Sequence, residues 1–216
     1  NASVFLNTVS SRDFVHVEPT GDAWLTYWPN DLLRFDLSAT RSYFDDVKSV
    51  SNNVLIDTLG VSVDYTPADG TRLSGRTNYG WITDGNERFF GQVEGEQRVF
   101  RKPDIYVGAR VTNFDFAKPY LDGGYFNPDW LWSAVGTLRL ESRPAPDWWF
   151  TMYGSAGYEW QKDAEKPTWT AGAAATYTPN EDFNIRLDLS HQDSADTGGS
   201  SAFRRTTLSG ALEYRW

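Results

Sequence analysis

The chain has 216 residues, a net charge of −9 and no cysteine, with 10 Trp, 11 Tyr and 13 Phe but a negative mean hydropathy. Without Cys there is no disulfide or thiolate chemistry, and the acidic balance speaks against a nucleic-acid partner, whose phosphates select Lys and Arg. No apolar run approaches the ~20 residues of a membrane-spanning helix.

In chain order, the first clear element is "LLRFDLSATR". It sets Leu33, Phe35, Leu37 and Ala39 against Arg34, Asp36, Ser38 and Thr40. "RLSGRTNYGW" does the same, with Leu73, Gly75, Thr77, Tyr79 and Trp81 opposite Arg72, Ser74, Arg76 and Asn78. "TWTAGAAATY" carries Ala171, Ala173 and Ala175 on its apolar side. In "FNIRLDLSHQ", Phe183, Ile185, Leu187 and Leu189 oppose Asn184, Arg186, Asp188 and Ser190. The last element, "SGALEYRW", sets Trp216, Tyr214, Leu212 and Gly210 against Arg215, Glu213, Ala211 and Ser209. Such strict period-2 alternation predicts strands with one apolar and one polar face, and no helical periodicity is found.

Turn signals punctuate the pattern at Pro29, Pro67, Pro103, Pro144 and Pro179, 35–41 residues apart, and a similar interval leads to Trp216. Proline presets a turn and cannot donate to a ladder, and the Asp and Asn beside it close turns with side-chain hydrogen bonds. The repeat is therefore a hairpin, and six hairpins give twelve strands. The intervening stretches "DDVKSVSNN", "TDGNE", "AKPYLDGGYFNPD", "KDAEKP" and "DSADTGGSSA" read as mostly longer, acidic loops on the opposite side. Short turns at one end and longer loops at the other mark a transmembrane antiparallel up-and-down β-barrel. The expected fold class is all-β, one domain over residues 1–216, with proline turns in the periplasm and loops outside the cell.

A soluble β-sandwich is the competing fold, since it also gives each strand one apolar face. The barrel is favoured by Tyr27, Tyr65 and Tyr177, each two residues before a turn proline, where a membrane interface wants an amphipathic ring. It is also favoured by small residues on the apolar face and by strands long enough for a tilted span. A strand ending on Trp216 resembles the C-terminal aromatic signal of outer-membrane proteins.

By parity the polar face points into the barrel and carries charges of both signs. The candidate pore-lining residues are Arg34, Asp36, Arg72, Arg76, Glu94, Glu96, Arg98, Arg110, Arg139, Glu141, Arg186 and Asp188. All strand cations read as arginine, with the five lysines assigned to loops or turns. Interleaved charges imply a hydrated or ion-paired lumen. Candidate inward aromatics on which sugar rings could stack are Trp24, Phe90, Tyr106, Trp149 and Tyr153. Neither His16 nor His191 suggests a nucleophilic triad, no grouping has zinc spacing, and no cofactor or catalytic residue is expected.

The stretches "ITDGNERFF" (Ile82 to Phe90) and "DGGYFNPDW" (Asp122 to Trp130) resemble the C-terminal barrels of tetratricopeptide-coupled outer-membrane exopolysaccharide export porins, the poly-N-acetylglucosamine and cellulose exporter type. The resemblance covers most of the chain from about Asn53 onward. It implies a bacterial outer-membrane porin passing polysaccharide outward, with helical repeats working in the periplasm, and lipids, lipopolysaccharide, glycan cargo and the export machinery as partners. Separately, the loop that contains Asp122, Gly123, Gly124, Tyr125, Phe126, Asn127 and Pro128 is the longest of the outer connections, and its length makes it a candidate gate over the mouth. Two features depart from it: these residues hold no tetratricopeptide helices, and those exporters have sixteen strands rather than twelve. The chain is then either the C-terminal part of a longer protein or a smaller relative. A passive or oligosaccharide-specific uptake porin and a plugged structural barrel remain as alternative functions.

Overall fold

A computed structural model describes residues 2–10, 15–43, 47–119, 124–162, 164–194 and 203–214. They form β1 (Ala2–Ser10), β2 (Val15–Asn30), β3 (Leu33–Tyr43), β4 (Leu55–Ala68), β5 (Thr71–Ile82), β6 (Glu87–Phe100) and β7 (Asp104–Phe116). There follow β8 (Trp130–Ala145), β9 (Trp148–Gln161), β10 (Ala164–Asn180), β11 (Phe183–Ser194) and β12 (Phe203–Tyr214). Every strand pairs antiparallel with its chain neighbours in one twelve-stranded sheet. Among the described residues no ladder joins β12 to β1. A sandwich would divide the strands between two sheets; this topology does not.

The proline turns are five short hairpins, and each coincides with a register irregularity, as between Tyr27 and Asn30, Tyr65 and Ala68, or Tyr177 and Asn180. A bulge leaves one residue out of the ladder, which is where a residue without an N–H fits. Asn30 and Asn180 then close their turns by accepting from the Leu32 and Asp182 amides at 2.9 and 3.1 Å.

The ladders place the apolar residues on one face. Leu37 stands opposite Val61, Leu73 opposite Gly95, Leu138 opposite Gly154, and Leu189 opposite both Ala173 and Leu208. This face is not covered by protein: Leu189 is 51 % exposed and Leu208 76 % exposed. A continuous exposed apolar surface of this size marks a lipid-facing wall. Aromatic residues bound it at both ends. Tyr27, Tyr65, Phe100, Trp148, Tyr177 and Tyr214 lie near the proline turns, and Tyr79, Trp81, Phe89, Trp132, Tyr158 and Trp169 near the loops. Trp169 and Tyr177 lie eight residues apart on β10. That is ~26 Å along the strand and ~20 Å along the membrane normal at a tilt of ~40°, close to the ~25 Å apolar band of an outer-membrane barrel. Among the described residues no helix is long and apolar enough to cross a membrane; the strands do the crossing.

Three expectations need correction. "KDAEKP" is mostly strand: β9 ends at Gln161, β10 begins at Ala164, and the ladder pairs Glu165 with Trp160 and Lys166 with Glu159, so only residues 162–163 connect the two strands. Lys166 is therefore a strand lysine, directly across the ladder from a carboxylate. "TDGNE" is a tight turn, closed by Asp84 accepting from the Asn86 amide at 2.9 Å, with Gly85 at φ 83°. A short helix, α1 (Val47–Ser51), sits in the β3–β4 loop, too brief to show a period.

The well-buried apolar cluster is not at mid-sheet. Val54, Ile56, Ile82, Phe116 and Tyr125 pack together at the loop end. Ile56, Ile82 and Phe116 occupy the parity that lower down carries charge.

Candidate functional site

The inward face is a set of ion pairs built by register. Arg34 donates to Asp36 at 2.9 Å, and Asp36 also accepts from Thr26 on β2 at 2.6 Å and Ser62 on β4 at 3.4 Å. Arg72 on β5 holds Asp64 on β4 through Nε and Nη2 at 2.9 and 2.5 Å. Arg110 faces Glu94 at 3.9 Å, and Arg186 faces Asp188 at the same distance. Near the turns, Arg98 pairs with Asp69 and, at 3.6 Å, with Asp104.

Arg139 on β8 makes the longest reach. It pairs with Glu141 on its own strand and passes over β7 to Glu96 on β6 at 2.5 Å. Gly108 makes that crossing possible. It lies between Glu96 and Thr137 in the ladders, and a Cβ there would run into the Gly95 carbonyl oxygen and stand 2.7 Å from Thr137 Oγ1. One cation shared by two carboxylates leaves a local negative excess, with the Glu96 side chain only 13 % exposed.

Arg72, Arg76, Glu94, Glu96, Arg110, Arg139 and Tyr153 line one cavity of about 550 Å³, with Ser62, Ser74, Ser155 and Thr170. Its walls come from β4 through β10, so the sheet curls around it. Arg34, Asp36, Arg98, Glu141, Arg186 and Asp188 share the inward parity but lie outside this lining.

The aromatic candidates separate by what already covers them. The Arg139 guanidinium lies 4.0 Å from the Tyr106 ring centroid and takes that face. The Tyr153 ring lies over Gly172, where a Cβ would meet it. Trp149 donates to Thr151 Oγ1 at 3.2 Å near the turns, and Trp24 is 40 % exposed; both lie outside the cavity lining. Phe90 stands under Arg76 at 5.1 Å, and Arg76 donates to Gln92 at 2.9 Å. Gln92 was not foreseen, because a neutral side chain gives no charge signal.

At the outer end, the β7–β8 loop is pinned to the β5–β6 turn. The Tyr125 hydroxyl donates to Asp84 at 2.7 Å and accepts from Asn86 Nδ2 at 3.0 Å. Asn86, 1 % exposed, also donates to the Lys118 carbonyl at 2.9 Å and accepts from the Lys118 amide at 2.8 Å. Lys118 Nζ donates to the Gly85 carbonyl at 2.7 Å. Burial, and then the hydrogen bond to Asp84, push the Tyr125 phenol up to about 12. Gly124 adopts φ 85°, and a Cβ there would strike Lys48 and Ser49 of α1. Phe126 packs edge-on against Phe114, and Asn127 and Pro128 are buried. Asp122 and Gly123 lie outside the described residues. The hub, Asn86, was legible only as part of the Asp-Gly-Asn turn. Among the described residues no cluster of His, Asp and Glu could hold a metal ion.

The sequence matches the model of the PgaA membrane beta barrel domain over residues 6–199. A search of curated protein sequences found no match. Among solved structures, a bacterial polysaccharide outer membrane secretin superposes with TM-score 0.81 at 14 % identity, covering 100 % of this chain and 80 % of that one. The toluene transporter TodX of Pseudomonas putida superposes with TM-score 0.52 at 10 % identity, covering 100 % and 77 %. At these identities both likenesses speak for the fold.

Proposed function

Because the chain belongs to the PgaA membrane β-barrel domain family, a family of the bacterial outer membrane, we propose that it exports a polysaccharide through the inside of its barrel. Residues 1–216 act as one barrel domain in this reading, and periplasmic helical repeats or other export machinery hand the glycan to the turn side. The observation that carries it is the character of the inward face. Its cavity of about 550 Å³ is lined mostly by charged side chains, hydroxyls and one amide, Gln92, with Val63 and Leu138 as its apolar members. An inert plug would be packed and apolar. A polar wall replaces the water hydrogen bonds of a hydroxyl-rich chain, and paired charges limit how tightly any one unit is held.

The loop cluster supports a gate. Tyr125 and Phe126 fold onto inward-parity residues of β4, β5 and β7 at the outer mouth, Asn127 and Pro128 are buried next in the chain, and the Asp84–Tyr125–Asn86 bonds hold Tyr125 there. Opening requires those bonds to break.

Proteoliposomes loaded with a labelled neutral oligosaccharide test the proposal. Wild-type protein should release the sugar faster than protein-free vesicles, and Tyr125→Phe should release it faster still. Retention equal to empty vesicles in both proteins would refute export through the lumen.

A further inference from the structure

The outward wall carries an apolar groove of about 380 Å³. Gly75 and Gly91 form its floor, and Val61, Val63, Phe89, Val93, Val111 and Trp132 stand around it. Arg76 and Gln92 also border it, but their side chains are joined to each other at the inward cavity. The floor is open: a Cβ at Gly75 would meet only the Gln92 carbonyl oxygen, at 3.9 Å.

The groove has a direction. Val61, Thr77, Gly91, Asn113 and Trp132 are successive ladder partners from β4 to β8. Val61 is six residues from the loop end of β4 and Trp132 only two from that of β8, so the row climbs toward the loops. Its lower end is at mid-membrane. Val61 is four residues from Tyr65 of the turn-side belt and four from Asp57, which stands opposite Trp81 of the loop-side belt. Its upper end, Trp132, belongs to the loop-side belt. Four strand steps span ~19 Å, which at a tilt of ~40° climbs ~12 Å, about half of a ~25 Å apolar band. The groove is therefore one leaflet deep. Two polar side chains lie in the row. Thr77 is satisfied by donating to the Phe90 carbonyl at 2.9 Å. The Asn113 carboxamide lies over Gly91, where a Cβ would stand 2.8 Å from its Oδ1, and among the described residues it has no hydrogen-bond partner. An amide left unpaired at the edge of hydrocarbon costs free energy, which a polar group on a lipid can recover.

We propose that this groove seats one acyl chain of a lipid A molecule, with the chain's linkage and hydroxyl held at Asn113. The chain descends from Trp132 to Val61 over the two glycines. At its head, Asn113 donates to the linkage carbonyl and accepts from the hydroxyl, using both halves of its carboxamide. The occupant follows from the groove's place. It is continuous with a wall that faces hydrocarbon, so an acyl chain fills it, and its polar end lies on the loop side. With the loops outside the cell, as the export reading has them, that side is the outer leaflet, where lipid A carries hydroxylated acyl chains. A phospholipid ester offers Asn113 an acceptor alone. The site lies outside the lumen and adds a lipid partner to the export reading.

Binding can be measured without asking the channel to conduct. The full chain in detergent would be studied by native mass spectrometry with lipid A and phosphatidylethanolamine added at equal concentration. Lipid A should be retained, one molecule per chain, at least fivefold more than phosphatidylethanolamine. Asn113→Leu removes the polar anchor and Gly75→Leu fills the floor, and each should lower lipid A retention at least fivefold. Gly136→Leu is the control, on the same face but outside the groove, where a Cβ meets only the Ala156 carbonyl oxygen at 3.9 Å; it should retain lipid A as wild type does. Folding of each variant would be checked by heat-modifiable electrophoretic mobility; if Asn113→Leu or Gly75→Leu fails to fold, the other carries the same expectation. Absence of lipid A from folded wild type, or wild-type retention in the folded groove variants, would overturn the site. Phosphatidylethanolamine retained as strongly as lipid A, with the same dependence on Asn113, would overturn the choice of lipid. Sugar release from proteoliposomes by a wild type that retains no lipid A would sink this site while leaving export intact.

Discussion

Replacing Leu189 with arginine should cost more than any neighbouring change on β11. Tyr177, of the turn-side aromatic belt, stands opposite Ile185, and Trp169, of the loop-side belt, opposite Asp193. Leu189 is four residues from each, which puts it at the membrane midplane. Arginine on a barrel's lipid face costs roughly 2–4 kcal/mol at the midplane and about 0–1 kcal/mol near the interfaces. Leu187 is two residues nearer the turns, ~7 Å along the strand and ~5 Å along the normal. Leu187→Arg should therefore fall between those limits, at about 1–3 kcal/mol. Ser190→Arg, one residue beyond Leu189, enters the hydrated interior and should stay within ~0.5 kcal/mol of wild type. Equilibrium unfolding from phospholipid vesicles in guanidinium, followed by tryptophan fluorescence, would give the three values. Equal costs for Leu189→Arg and Ser190→Arg would refute the assignment of faces on this strand.

Tyr125→Phe removes a hydrogen bond to a carboxylate, worth roughly 1.5–3 kcal/mol, and should speed limited proteolysis within residues 117–129; an unchanged cleavage rate would show that the bond does not hold the loop. Because folding raises the Tyr125 pKa to about 12, its contribution is complete below the ordinary phenol value of ~10 and is lost as pH rises toward 12. Loop protection in hydrogen exchange should fall across that window in wild type and be flat there in Tyr125→Phe. Gly108→Val forces a side chain against the β6 backbone and should abolish the heat-resistant folded band on electrophoresis, whereas Gly136→Ala, whose Cβ meets only the Ala156 carbonyl at 3.9 Å, should preserve it. Glu96→Gln leaves Arg139 with Glu141 alone and should shift reconstituted channels toward anion selectivity, read as a change in reversal potential.

The strands and their faces were legible because a β-strand repeats every two residues, and Pro with Asn or Asp marks a hairpin whatever the fold. Which arginine meets which acid was only partly legible. Arg72–Asp64 follows from adjacency of strands, but Arg139–Glu96 depends on a glycine in the strand between them. The loop core was hidden for another reason. Ile56, Ile82, Phe114 and Phe116 are apolar residues on the polar parity, and that exception in the pattern was the available sign that something folds over them.

Single-channel recording in planar bilayers bears most directly on an open, sugar-permeable lumen. Wild-type protein should give discrete conductance steps, a neutral oligosaccharide should reduce them reversibly, and Tyr125→Phe should raise the fraction of time spent open. Silence from both wild type and Tyr125→Phe, in protein shown to be folded, would contradict a transport lumen and leave a structural barrel.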